Sequence, residues 1–593
     1  MTEIKERILY ARRRIDEIDN IEIVDDLTWD TTEKKWYIKI RILGIDTNNE
    51  IIPKTTTWYI TFPDTYPEGE VKVCPAADGG ISDTFNHQNN NGLISKNSLW
   101  RTGSLCLSNN LDGLLHEEIE PCNYEDKLFW NAKRAVEWVK AAAQDRLISK
   151  GDYYEKPHFV TKKIQFLAYN EDRVSYMEWE DAEKTIGYVE IVRTDNLHYF
   201  ANSFYSLSGE LCKTTRWGKY IEKHEVERQI GAWILLDKEP VIHKWQAPNS
   251  FYELEEAMKL QGRDLIKELR RIIHRFRDKR RHIIMIGFPV PKIVGYQNQQ
   301  IHWEAFLLPI LTSEDTTYNG FRNNERGRQA RDFCEIIPGK RVLDWLLCDN
   351  WNLGEIVNRG HFDIKMTSKR FVIIGAGTLG ASIGELLVRS GVYNISVVDD
   401  DCYTIGNSAR HILEIGSVGK HKADEVCNRY NCINPNVFAV PINESLSSNN
   451  IGLIDSYDVI IDCSASNNVL SLLSSYTTRK KKTYISVSFG YKADMLFLAF
   501  QRGNSFNKSE YYSSLGDKIK ESEEEYMHAQ LPWDGVGCWH PVYPAMAYDV
   551  QMVASIATGA VKTYMETEEI NSQYLVYGKK YDEDGVAQGF ARL

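Results

Sequence analysis

Two kinds of chemistry are written into short stretches of this 593-residue chain. "GAGTLG" sets Gly375, Gly377 and Gly380 directly after the apolar run "RFVII" and just ahead of "ASIGELLVRSG". Glycines at such a turn let the backbone approach a phosphate, and the helix that follows offers unpaired N–H groups and the positive end of its dipole. Asp399 lies at the end of the next apolar run, "ISVVDD", where a carboxylate accepts from ribose hydroxyls. On these features alone a dinucleotide oxidoreductase leads. The second kind is thiol chemistry. Cys538 sits in the Gly-rich "DGVGCWHP" ahead of a helical pattern, so its sulfur is accessible and its thiolate is favoured by the helix N-terminus. His540 either assists it or is a turn histidine. Cys106, in "GSLCLS", has no such local support, since most free cysteines pack as small apolar residues.

The elements that must position these residues fall into three parts. Residues 1–158 read as an α+β unit: an opening helix from Ile4 to Ile18, strands in "WYIKIRILGI" and "TTTWYITF", and a long polar loop, "ADGGISDTFNHQNNNGLISKNS". After Cys106 comes a helix with Phe129, Ala132, Val136, Val139, Ala143 and Leu147 near one face. Residues 159–345 form a mixed α/β linker, with strands in "GYVEIVRT", "GAWILLD" and "HIIMIGFPV" and one helix from Glu253 to Phe276. The run "RRIIHRFRDKRR" there is either an acidic partner's site or the solvated face of a helix. From 346 to 593 strand, turn and helix alternate, as in a doubly wound, mostly parallel Rossmann-like sheet.

Composition narrows the functions available. Lys and Arg number 71 against 83 Asp and Glu, a formal charge of −12 that disfavours broad nucleic-acid binding. The start "MTEIKERILYARRR" lacks the apolar centre of a secretory signal, and no apolar run is long enough for a bilayer. The expectation is a cytoplasmic protein with no membrane role. The eleven cysteines contain no C-x-x-C pair, so reduced thiols are expected rather than a zinc site or disulfide framework.

The stretch beginning at Asp399, "DDDCYTIGNSARHILEIGSVGKHKADE", resembles the D-x-D…N-x-x-R…K signature of the ubiquitin-activating, ThiF and MoeB superfamily of adenylating enzymes. Asp399, Asp401, Asn407, Arg410 and Lys422 fall on its positions. The resemblance implies ATP with Mg²⁺, and cations aimed at the phosphates while a carboxylate is adenylated. It further implies that Cys538 captures the adenylate as a thioester. Members of the superfamily carry an acid where this chain has Ala465, in "DCSASNN", so Asp462 is the candidate metal ligand.

The N-terminal part resembles a ubiquitin-conjugating domain. Tyr66 and Pro67 match its Y-P turn, Gly69 and Glu70 stand where a Pro is usual, and "GSLCLS" matches G-x-x-C-L with Cys106 as nucleophile. The family's H-P-N triplet is replaced by "NHQN", which makes Asn86 and His87 the candidates to steady the oxyanion. A conjugating part, a linker and an activating part in this order resemble the bacterial CD-NTase-associated fusion proteins of anti-phage signalling. That resemblance implies a CD-NTase C-terminus as acyl donor, a target-protein amine as acceptor, and a homodimer. Three other readings stand beside it: a sulfur-carrier or ubiquitin-like-protein adenylyltransferase, a nucleotide-binding regulatory scaffold, and the oxidoreductase.

Overall fold

The computed structural model describes residues 2–46, 52–93, 95, 97–107, 120–180, 185–529, 544–567 and 571–593. Two compact units are present: residues 1–215 with 227–350, and residues 216–226 with 351–593.

The first unit opens with the helix Thr2–Arg14 and a four-stranded antiparallel sheet in chain order, Ile21–Asp30, Lys35–Ile42, Thr56–Phe62 and Lys72–Pro75. Two of these strands follow the alternating patterns of the sequence. The strand Ile21–Asp30 gave no such signal, because it is an edge strand whose register shifts at Asp25 and Thr28, which breaks the period of two. The strand Thr56–Phe62 is buried at every position, since both sheet faces are covered. Trp58 meets Trp138 of the helix Lys127–Ala143 on one face, and Tyr59 meets Tyr37 and Trp100 on the other. That helix is buried nearly all round rather than along one stripe: Leu128, Trp130, Ala135 and Trp138 are as enclosed as Ala132, Val136 and Val139. Phe129, expected on the inner face, is half-buried beneath the Arg14 guanidinium, 4.7 Å from its ring centre.

The same unit holds a mixed sheet in the order Asn298–Leu307, Ile283–Pro291, Glu227–Leu235, Ile186–Arg193, His198–Ser206, Phe166–Tyr169 and Leu347–Asn350, with Leu211–Thr214 paired to His198–Ser206. The single helix expected from Glu253 to Phe276 is two: Phe251–Lys259, and Leu265–Ile272 followed by a 3₁₀ turn to Arg275. The break comes at Gly262, whose φ of +72° leaves the helical region, and Asp264 then caps the second helix by accepting from the Lys267 N–H. The basic run lies mostly at the surface, and Arg277 is the one basic residue of it that is buried. Arg277, 2% exposed, pairs with Glu325 and Asp332, Arg280 with Glu227, and Arg281 with Asp344.

Beneath this sheet a carboxylate is buried among indoles. Glu171 Oε1 accepts from Trp179 Nε1 (3.0 Å) and Trp303 Nε1 (2.9 Å), and Oε2 from Lys213 Nζ (2.5 Å). Every lone pair that matters is matched, so burial of the charge is tolerated.

The second unit is built on an eight-stranded sheet. Phe438–Ile442, Asn394–Val398, Phe371–Ile374, Val459–Asp462 and Lys482–Phe489 run parallel, and Met495–Gly503, Ser572–Tyr581 and Ala587–Arg592 continue antiparallel. Strand residues alternate between two cores. Phe371, Ile373, Ile395, Val459 and Ile461 pack with the helices Thr378–Arg389, Lys422–Ile433 and Ala547–Glu566. Val372, Ile374 and Ile460 pack with Asn467–Ser475 and Lys508–Met527. Residues 216–226 join this unit, Gly218 and Lys219 donating N–H groups to the Pro435 and Val437 carbonyls (2.6 and 3.0 Å). Strand order reverses between Phe371–Ile374 and Val459–Asp462, so a crevice opens at the carboxyl ends of these two strands.

Lys213→Ala should destabilise the first unit by about 3–5 kcal/mol, because it leaves the Glu171 carboxylate buried without its cation. Urea unfolding followed by tryptophan fluorescence measures this, and the double variant Glu171→Gln/Lys213→Met should recover part of the loss.

Candidate nucleotide and thiol sites

The crevice of the second unit is organised around one peptide unit, that of Ala376. Gly375 holds φ +97°, and a side chain there would press on the backbone of Cys463 and Ser464 at 3.0–3.1 Å. A Cβ on Gly380 would lie 2.0 Å from the Gly375 carbonyl oxygen, so the helix can approach the strand only with glycine there. Around Gly377, the N-cap of the helix Thr378–Arg389, there is open space within 4 Å of the Cβ position. The first and third glycines therefore close the turn, and the second leaves room for a ligand.

Asp399 holds the turn from the neighbouring strand. Its Oδ2 accepts from the Ala376 N–H (2.6 Å) and its Oδ1 from the Asp401 N–H (2.9 Å). Burial raises its pKa above the ordinary carboxylate value, and those two N–H groups oppose the rise. Each oxygen keeps a lone pair for a ribose hydroxyl.

The remaining signature residues lie on the segment that follows. Lys422, first in its helix, donates through Nζ to Asp401 Oδ2 at 2.9 Å and through its backbone N–H to the Asp401 carbonyl. The lysine side chain is 12% exposed and the aspartate 70%, so the pair stands at the crevice surface. Asn407 Oδ1 accepts from the Thr404 N–H and hydroxyl, both at 3.1 Å, which caps the short turn Ile405–Ala409. Arg410 leaves that turn half-buried, with its pKa lowered by burial. The turn thus presents Arg410, and Asn407 shapes the turn.

His411 was not singled out from the sequence, although it directly follows Arg410. It is buried; its Nε2 lies 2.9 Å from the Ala376 carbonyl oxygen, and its Nδ1 accepts from the Leu413 N–H at 3.2 Å. Accepting at Nδ1 fixes the neutral Nε2–H tautomer, and burial lowers the pKa in the same direction. One imidazole therefore ties the glycine turn to the segment carrying Arg410.

Asp462 ends the strand beside Phe371–Ile374 and is 2% exposed. Its Oδ1 accepts from the Ser464 N–H (3.0 Å) and hydroxyl (2.6 Å), and burial raises its pKa to about 6. A carboxylate whose charged form is penalised this way suits a cation, which would lift the penalty. Asp399, Asp400 and Asp401 form a second acidic group, with one oxygen of each within 4.8 Å of the others. Ala465 adopts φ +52° in the loop between, and the acid expected there is absent.

In the first unit Cys106 is half-buried at the end of a short extended segment. The Leu105 N–H donates to the Val73 carbonyl (3.0 Å) and the Cys106 N–H to the His87 carbonyl (2.8 Å). Arg134 of the long helix clamps the other side, its Nε and Nη2 donating to the Leu107 carbonyl at 3.0 and 2.9 Å. His87 holds φ +56°, and its N–H donates to Glu155 Oε2 at 2.8 Å. The structure thus brings "NHQN" against the cysteine through the backbone. Asn86 Nδ2 is buried, with no hydrogen-bond partner among the described residues. Cys538 and His540 lie outside the described residues.

A glycine turn, a carboxylate on the second strand and a switch point between parallel strands define the second unit as a Rossmann-type nucleotide-binding domain. Residues 351–578 match the ThiF family, and residues 145–351 match the family described as the Cap2 central linker domain. The chain is 30% identical over 548 residues to the ATP-dependent ubiquitin transferase-like protein Cap2 of Enterobacter hormaechei subsp. hoffmannii (strain UCI 50), covering 89% of each chain. It is therefore a member of the Cap2 family of ubiquitin transferase-like enzymes. A shorter likeness, 34% over 133 residues, links it to the adenylyltransferase and sulfurtransferase UBA4 of Debaryomyces hansenii, covering 22% of this chain and 30% of that protein. The crystal structure of E. coli MccB with ATP aligns at a TM-score of 0.28 and 15% identity, over 40% of this chain and 66% of that one. Among the described residues no helix is long and apolar enough to cross a membrane.

His411→Ala should weaken ATP binding and leave the fold intact, read by titration calorimetry. Because burial lowers the pKa of His411 below the ordinary histidine value of about 6.5, its neutral contacts still hold at that pH and fail only as pH falls through the lower, folded value. The wild type's affinity should fall with pH in that range, and His411→Ala should flatten that pH response. Asp462→Asn should raise the melting temperature at pH 7.5, where the wild-type charge is penalised, and the gain should shrink toward pH 5 as Asp462 takes up its proton.

Proposed function

We propose that this chain uses ATP to activate the C-terminal carboxylate of a protein, carries the acyl group on two cysteines in turn, and transfers it to an amine. The observation that carries the reading is the pairing, in one Cap2-family chain, of the Ala376–Asp399 nucleotide turn in the second unit with Cys106 on a backbone-clamped segment of the first.

In the first step the nucleotide lies across Gly377 with its ribose on Asp399. Arg410 and Lys422 face its phosphates, Lys422 exchanging Asp401 for the ligand. A carboxylate oxygen of the donor attacks the α-phosphorus, the bond to the bridging oxygen breaks, and pyrophosphate leaves. The cations stabilise the charge that builds on the phosphoryl oxygens. Mg²⁺ fits this site, with Asp462 and the Asp399–Asp401 group as the acids to hold it, and it supplies further charge neutralisation on the phosphates. The thiolate of Cys538 then attacks the acyl carbon and AMP departs. Cys106 takes the acyl group by thioester exchange, releasing the Cys538 thiolate, and an amine attacks to form the amide and free Cys106.

Residues 1–158 act in this scheme as a ubiquitin-conjugating-like domain, 159–345 as the linker and 346–593 as the activating domain. Helix, four antiparallel strands, cysteine segment and long helix support the first assignment. Asn86 is the candidate to steady the oxyanion at Cys106, since its amide nitrogen is unspent. Membership of the family supports a CD-NTase C-terminus as donor, a target-protein amine as acceptor, a homodimeric enzyme and a cytoplasmic role in anti-phage defence.

The test is incubation with ATP, Mg²⁺ and a candidate CD-NTase, followed by non-reducing and reducing gels. The expected product is a thiol-sensitive adduct that Cys538→Ala abolishes. Cys106→Ala should keep the first thioester and yield no conjugate. Normal conjugation by Cys106→Ala would end the two-cysteine scheme.

A further inference from the structure

We propose that a cationic cavity in the first unit is the docking site for an acidic segment of the protein that receives the acyl group, a reading that rests on the conjugating role of Cys106. The cavity has a volume of about 1050 Å³ and is walled by the face of the four-stranded sheet, the loop before Cys106, and the ends of strands from the mixed sheet. Its sides carry six Lys and Arg residues against two carboxylates, in a chain whose overall charge is −12. One of the two carboxylates, Asp344, is already spent on Arg281. Lys35, Arg101, Lys162 and Arg341 have no carboxylate within ion-pair distance among the described residues. Positive charge is therefore concentrated here against the trend of the chain. Cations lining one cavity repel one another, and an anionic ligand would relieve that repulsion.

Three further features select the kind of anion. The volume lies at the upper limit for small-molecule sites, which are about 300–1,000 Å³, so a polymer segment fits better than a single phosphate. Exposed Leu93 and Val342 stand among the cations and favour a segment with apolar side chains between its acids. Trp100, which lines the cavity, is 8% exposed and packed against Tyr37 and Tyr59, so its ring face is not available to stack on a base.

Place in the chain connects the cavity to the thiol. Ser104 lines it two residues before Cys106, and Asn89, which also lines it, donates through Nδ2 to Ser104 Oγ at 2.8 Å and through its backbone to the Ser104 carbonyl. A segment bound there would lie beside the extended segment that carries the nucleophile. The acceptor is held by its charge while its amine reaches the thioester.

The test is fluorescence anisotropy with a fluorescein-labelled peptide of alternating Glu and Leu, using the full chain and Lys162→Glu/Arg341→Glu. Both positions are exposed, and neither belongs to the nucleotide or thiol site. The acidic peptide should bind, weaken with salt, and lose at least about tenfold in affinity in the double variant, equal to about 1.4 kcal/mol. A matching Lys and Leu peptide should not bind. Equal affinity of variant and wild type for the acidic peptide overturns the proposal. So does tighter binding of tripolyphosphate or single-stranded DNA lost in the same variant, which would make this a phosphate site. Loading of Cys106 is scored separately on non-reducing gels: the double variant should load normally and transfer slowly. If wild type never loads Cys106 the conjugating role fails, whatever the peptide does.

Discussion

The nucleotide crevice depends on a single peptide unit being held from both sides. Ala376 gives its N–H to Asp399 and its carbonyl to His411, and glycine at 375 and 380 removes the side chains that would forbid the turn. Neither contact is strong alone; a net hydrogen bond contributes about 0.5–1.5 kcal/mol, more when one partner is charged. Their effect is geometric. Asp399 follows one strand, His411 stands at the end of the Arg410 turn, and the peptide lies on a third element, so fixing its plane fixes the mutual position of Asp399 and the Arg410 turn. Preorganisation of this kind is what lets charged groups act on a transition state without first rearranging.

The two units solve the burial of charge differently. In the first, Glu171 is sealed among indoles with one lysine, an arrangement that specifies how the mixed sheet closes and leaves nothing for chemistry. In the second, Lys422 meets Asp401 at the rim, where water and ligand can compete for either partner. A fully matched buried pair is costly to disturb, and a rim pair is cheap to exchange.

The second unit was legible in the sequence because its pattern is dense. Parallel strands covered on both faces read as short apolar runs, and every glycine of "GAGTLG" has a distinct physical reason to be there. Hydrogen bonds join Asp399 to Asp401 and Asp401 to Lys422, three of the acidic and basic positions that the sequence singled out. His411 was missed because a buried histidine holding a carbonyl leaves no periodic trace. The edge strand Ile21–Asp30 was missed because bulges erase alternation, and the helix expected from Glu253 to Phe276 was overextended because its apolar period carries across the break at Gly262. Around Cys106 the sequence showed a motif with a missing triplet. What replaces the order of that triplet is a set of long-range backbone bonds, from Val73, His87 and Arg134, which no local window contains.

The segment 216–226 leaves the mixed sheet and returns to it, yet it pairs with residues 435–437 of the nucleotide-binding unit. Cutting the chain between Asn350 and Trp351 would thus not yield two self-sufficient halves. The upstream fragment would keep a piece of the downstream fragment's body. A gene for this protein is consequently hard to split in evolution at that point: one unbroken chain keeps the two units in fixed one-to-one proportion.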